Sequence, residues 1–188
     1  MSIMKKPLMF VDVESTLLKG GRAKNSNLES PIIAISLVKE NGEIFFEGRL
    51  GDAALENKEM DNWIKGNIIP AIQPISNTFE TIEELISAAL DSQWWKEYDP
   101  VAFCGYILEG HLFDFWETLA DDRLWSRPMF IHEMASWLSV LGENPTSDSA
   151  YMEKYGLEKP VGMLPHHPTY DNLVALNIWK HMEKRLCR

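Results

Sequence analysis

"LMFVDVES", Leu8–Ser15, is the stretch on which the reading of the chain turns. It is short, apolar and contains β-branched residues, so it reads as a buried strand. Successive side chains of a strand point to opposite sides, which puts Asp12 and Glu14 together on one side, at the end of an otherwise apolar segment. Two acids so placed repel each other. Either the strand ends there and both are solvated, or a divalent cation holds them, since hard cations such as magnesium prefer carboxylate oxygens.

Further along, "PIIAISLVKENG" (31–42) and "EIFFEGRL" (43–50) flank an Asn41-Gly42 pair, a strong hairpin signal. The second and third strands are therefore expected to be antiparallel. "MDNWIKGNIIPAI" (60–72) and "TFETIEELISAALDS" (78–92) read as helices. The second has Thr78 or Thr81 as its cap and Ile82, Leu85, Ile86 and Ala89 at helical spacing. "PVAFCGY" (100–106) is strand-like, "HLFDFWETLAD" (111–121) helix-like and "PMFIHEM" (128–134) strand-like. A short helix over 136–141, a polar loop over 142–156 and a last helix over 168–186 complete the chain. A hairpin followed by alternating strands and helices implies an α/β fold, a mixed sheet flanked by helices, in a single domain over 1–188.

Of the 188 residues 45% are hydrophobic, enough for one good core. No stretch approaches the roughly 20 apolar residues of a membrane span. The lysines at the start, Lys5 and Lys6, precede no apolar segment of signal-peptide length. A cytoplasmic protein without a membrane partner is expected. Cys104 and Cys187 are too few and too far apart for a zinc or disulfide framework and read as reduced thiols. Acidic residues outnumber basic ones 28 to 18, a formal charge of -10. That excludes affinity resting on a broad phosphate-binding surface, so a nucleic-acid contact would have to be small or metal-bridged.

The terminal helix carries the next signal. At roughly 100° per residue, Val174, Ala175, Ile178, Trp179, Met182 and Leu186 share a face, and Asp171 sits at its centre. An inward carboxylate needs a cation or hydrogen-bond donors, and a metal shared with Asp12 and Glu14 would satisfy all three acids. The bland alternative is a capping or salt-bridged aspartate near the positive helix end. Proline is favoured at the first helical position, so Pro168 makes His167 the N-cap and leaves His166 in the loop before it, five residues ahead of Asp171. An imidazole there can act as general base, its ordinary pKa lying near neutrality; otherwise it is a surface loop residue.

These residues resemble the DnaQ-like, or DEDDh, 3′-5′ exonucleases. "FVDVEST" is similar to the first motif of that family, a strand carrying D-x-E followed by Ser or Thr, and "HHPTYD" to the third, H-x-x-x-x-D ending on a helix. The resemblance implies a ribonuclease H-like fold with a five-stranded mixed β-sheet. It implies Asp12, Glu14 and Asp171 as metal ligands and His166 as the general base; His167 stands at the wrong spacing. The second motif is an aspartate after an aromatic residue at a helix start, often with asparagine four positions earlier. Phe113-Asp114 in "GHLFDFWETL" is the expected counterpart, although Gly110 takes the asparagine position, and Glu109 or Asp121 could replace Asp114. Asp114 also shares a polar helix face with Glu117, Thr118 and Asp121.

The implied activity is 3′-5′ exonucleolytic hydrolysis by two divalent cations, Mg2+ or Mn2+, with single-stranded RNA or DNA 3′ ends as partner and a homodimer as the assembly. "DNWIKGNIIPAI", with Trp63 and Pro70, resembles a segment of small mycobacterial and phage-related exoribonucleases and tilts the expectation toward RNA. "GGRAKN", with Arg22 and Lys24, is a phosphate contact or a plain loop. The rival readings are a catalytically inactive nucleic-acid-binding or regulatory domain on the same fold and a ribonuclease H-type endonuclease.

Overall fold

The computed structural model describes residues 6–16, 32–103, 109–119 and 127–186. Strand β1 (Leu8–Ser15) pairs antiparallel with β2 (Ile32–Lys39), which pairs antiparallel with β3 (Ile44–Leu50). The expected hairpin turn joins the last two: Gly42 has φ 90°, a left-handed conformation that suits glycine, and its N–H donates to the Lys39 carbonyl at 2.8 Å.

After β3 come α1 (Asp52–Glu56), α2 (Asn62–Ile72), the two-residue β4 (Thr78–Phe79) and α3 (Ile82–Leu90). Thr81 caps α3 through a capping box with Glu84, so Thr78 belongs to a strand rather than to the helix start. Then follow β5 (Asp99–Ala102), α4 (Glu109–Thr118), β6 (His132–Glu133), α5 (Met134–Val140), α6 (Asp148–Tyr155) and α7 (Pro168–Leu186). Among the described residues the strands form one mixed sheet in the order β4-β3-β2-β1-β5-β6, with β1 at its interior.

The sheet thus has six strands rather than five, the extra one being β4, which pairs parallel with the end of β3 at Arg49 and Leu50. Two residues carry no periodicity, so such a strand leaves no pattern to read. The segment over 142–156, expected to be a polar loop, contains α6. Its ends are marked by Ser147, whose side chain accepts the Ala150 N–H, and by Gly156 in the left-handed region.

The alternation of β1 divides the interior in two. Met9, Val11 and Val13 face a core closed by Ile64 and Ile68 of α2, Leu85 and Ile86 of α3, and Leu112, Phe113 and Trp116 of α4. Leu8 and Phe10 face the other core, closed by α5, α6 and α7. Asp12 and Glu14 continue the line of Leu8 and Phe10, so they point to the side that α7 covers.

Candidate metal centre

Helix α7 packs on that side with Val174, Ile178, Trp179 and Met182 buried, whereas Leu186 is exposed at the fraying end. The Trp179 ring meets Phe10 edge-on, centroids 6.4 Å apart. From Trp179 back to Asp171 is eight helical residues, about 12 Å, and from Phe10 forward to Glu14 is four strand residues, about 13 Å. A helix antiparallel to β1 and anchored at Phe10 therefore delivers Asp171 to the acids. Glu14, His166 and Asp171 each place a ligand-capable atom within 4.8 Å of the others, a group that could hold a metal ion.

The beginning of α7 is tied to the sheet by a polar chain. The Ser36 and Thr169 hydroxyls are 2.7 Å apart, Thr169 also donates to Glu47 of β3, and the Asn172 side chain donates to the Ser36 carbonyl at 2.9 Å. His167 precedes the helix as expected of an N-cap: its carbonyl accepts the Asp171 N–H at 3.1 Å and its Nδ1 accepts the Thr169 N–H at 3.3 Å. The ring is buried and 3.8 Å from Glu47. Burial lowers its pKa, and Glu47 opposes that shift.

His166 is held differently. Residues 164–167 form a turn closed by the His167 N–H on the Leu164 carbonyl at 3.2 Å, with Pro165 second and His166 third at φ 67°. That is the pattern of a type II turn, whose third position favours glycine or asparagine. A histidine there costs on the order of 1–2 kcal/mol, a strain of the kind that concentrates at functional sites. The His166 N–H also donates to the Asp171 carboxylate.

The electrostatics of the group are those of acids crowded together in a buried place. One carboxylate oxygen of Asp12, Oδ2, is buried with no hydrogen-bond partner among the described residues. Burial pushes the Asp12 pKa well above the usual carboxylate range, and the charges of Asp171, Glu14, Glu109 and Asp148 add to it. Glu14 is raised by burial and by Asp171 and Glu109. Asp171 is pushed up to about 7, first by burial and then by Asp148, with the His166 N–H acting in the opposite sense. Acceptor-only groups crowded into one buried place suit a hard divalent cation, and the orphaned Asp12 oxygen is where one is most needed.

Asp114 is not brought to this group. Its side chain is 51% exposed and its carboxylate accepts from Arg127. The physical reason is helical: Glu109, Leu112, Phe113 and Trp116 share the buried face of α4, and Asp114 lies off it. Glu109, at the first residue of α4 and 6% exposed, is the acid whose charge reaches Asp12 and Glu14. Asp148, at the start of α6, is a further acid whose charge reaches Asp12 and Asp171; the Ser147 cap and Gly156 are the sequence signals of its helix. Asp121, Arg22, Lys24, Cys104 and Cys187 lie outside the described residues.

No family model and no curated protein sequence matches the chain. Solved structures do. The nuclease domain of 3′hExo, a DEDDh family member bound to rAMP, superposes with a TM-score of 0.63 over 98% of this chain and 95% of that one, at 15% identity. The fold is that of a DEDDh nuclease domain. A 3′-exonuclease described for 3′-end-specific recognition of the histone mRNA stem-loop matches with the same score and identity, over 98% of this chain and 84% of that one. A full-length 3′-exonuclease matches at 0.63 and 16% identity, over 97% and 84%. The ribonuclease H-like α/β fold expected from the first and third motifs is the observed one, with β4 in addition. Among the described residues no helix is long and apolar enough to cross a membrane.

Proposed function

We propose that the chain is a metal-dependent 3′-5′ exonuclease that removes nucleotides from the 3′ ends of single-stranded nucleic acid, RNA in preference to DNA. The observation that carries this reading is the group of Glu14, His166 and Asp171 that could hold a metal ion, with a buried Asp12 carboxylate oxygen that has no hydrogen-bond partner among the described residues and feels the charges of Asp171 and Glu14. In the reading, Asp12, Glu14, Asp171 and Glu109 hold two divalent cations, Mg2+ or Mn2+. Glu109 takes the place first expected of Asp114, and the reach of its charge to Asp12 and Glu14 supports that assignment. The cations supply charge neutralisation at the phosphate and a more acidic attacking water.

His166 accepts a proton from that water as it adds to phosphorus, and the bond from phosphorus to the 3′-oxygen breaks. The leaving oxygen takes up a proton, so the products are a nucleoside 5′-monophosphate and a strand shorter by one. The left-handed turn and the N–H bond to Asp171 fix the His166 backbone next to the acids. His167 has the separate task of capping α7 and does no proton transfer. A net charge of -10 fits a protein that would hold a strand end at a small, cation-neutralised contact rather than along a basic groove. The rAMP and histone mRNA ligands of similar structures support RNA.

The test is a time course on end-labelled RNA and DNA strands of one sequence, with Mg2+ or Mn2+ and then with EDTA. A ladder shortening from the 3′ end, faster on RNA and stopped by EDTA, is expected. Intact strands with both metals would leave the fold to a binding domain, and cleavage of a circular strand would point to an endonuclease.

A further inference from the structure

Trp63 is a large apolar side chain left 44% exposed, and it is not idle on the surface. Its ring meets the His166 imidazole edge to face, centroids 5.1 Å apart and planes 74° apart. The two residues come from very different supports. Trp63 is the second residue of α2, whose N-cap Asp61 accepts the Ile64 N–H at 2.9 Å. The next residue, Ile64, is fully buried, and Ile68 and Ile72 anchor the same helix in the core. The tryptophan backbone therefore has little freedom to shift.

His166 sits on a loop. Its main chain is fixed by the turn closed on Leu164 and by the bond to Asp171, but neither of these fixes the side-chain torsions that aim the imidazole. The Trp63 ring, rigidly mounted against one side of the imidazole, bears on those torsions directly. Misplacement of a reacting group by about 1 Å can cost as much as ~100-fold in rate, so a ring that removes alternative rotamers acts on turnover.

We propose that Trp63 is a positioning residue for His166: α2 holds its indole against the imidazole and keeps that ring directed at the carboxylate cluster. The proposal rests on the exonuclease reading and deepens it, since it concerns how the general base is aimed. Trp63 acts through His166 and not by gripping the nucleic acid.

The experiment compares wild type with Trp63→Ala and Trp63→Phe by steady-state kinetics, and by the histidine C–H resonances of the metal-free chain, the His166 signal being identified by its loss in His166→Ala. Only five histidines contribute. Trp63→Ala is expected to lower kcat about tenfold, the upper end of what an edge-to-face ring contact supplies, with KM within about twofold. Trp63→Phe, which keeps a ring, is expected to recover kcat to within about threefold. The His166 resonance should move in the alanine variant and stay near its wild-type position in the phenylalanine variant. Trp63→Leu, apolar but without an aromatic ring, replaces the alanine variant should that one not fold. A rise in KM with unchanged kcat would make Trp63 a substrate contact and overturn the proposal, as would unchanged kinetics or an unmoved resonance. An inactive wild type ends both readings; an active one whose Trp63→Ala variant keeps its kcat ends this one alone.

Discussion

Helices α7 and α4 each bring one carboxylate to the side of β1, and they are read from sequence with very different ease. In α7 several independent features agree: Pro168 starts the helix, His167 caps it, an apolar face runs from Val174 to Met182, and Asp171 lies on that face. In α4 the features disagree. The aromatic-aspartate pair Phe113-Asp114 resembles the family motif, while the apolar face of Leu112, Phe113 and Trp116 points to Glu109. Five residues along a helix turn a side chain by about 500°, or roughly 140° from its start, so Glu109 and Asp114 cannot both face the sheet. In the proposed reading Glu109, whose charge reaches Asp12 and Glu14, is preferred to the aspartate of the local motif.

The largest effects should follow loss of the acids on which β1 and α7 converge. Asp12→Ala and Asp171→Ala are expected to lower exonuclease activity by at least about 10³-fold in the strand-shortening assay. Residual activity within tenfold of wild type would remove α7 from the comparison.

Helix α4 carries the next largest effect. Glu109→Gln is expected to cost about 100-fold or more in kcat/KM, and Asp114→Asn less than about threefold, because Asp114 is solvated and paired with Arg127. The reverse order would restore Asp114 and break the packing argument.

At the entrance to α7 the two histidines divide chemistry from capping. His166→Ala should lower kcat by about 10²–10⁴-fold while cation binding persists. His167→Ala should cost far less turnover but on the order of 1 kcal/mol of stability, read by denaturant unfolding, since it removes the Thr169 cap. Equal kinetic losses would defeat the division.

The smallest effect is on the stability of the metal-free chain against pH. Asp12, Glu14 and Asp171 have folded pKa values above their unfolded ones, so folding retains protons that the unfolded chain releases above about pH 4. Their contribution is fully present below that pH and is lost as pH rises through the folded values, about 7 for Asp171. Melting temperature should fall over that window, and saturating Mn2+ at about pH 8 should raise it by roughly 5–10 °C. A flat profile without metal would show that the acids are solvated.

The legible parts of the fold are those where a period or a cap repeats the same message. The run of β1, the Asn41-Gly42 turn, the Thr81 capping box and the length of α7 all carried it. What escaped was short or set by distant partners. Strand β4 has two residues, and β6 keeps only His132–Glu133 of a longer apolar string because parallel pairing with β5 extends no further. Glu47 bears on the site through Thr169 and His167, 122 and 120 positions away in sequence, a link that no local pattern encodes. The same holds for Trp63 against His166.

The most direct test of the centre is a calorimetric titration of Mn2+ at about pH 8, above the Asp171 value, into wild type, Asp12→Asn, Glu109→Gln and Asp114→Asn. Wild type and Asp114→Asn should bind the cation alike, and the other two should bind it at least about tenfold more weakly. A wild-type chain that takes up no Mn2+, or an Asp12→Asn variant that binds it unchanged, would contradict a metal centre built on β1, α4 and α7.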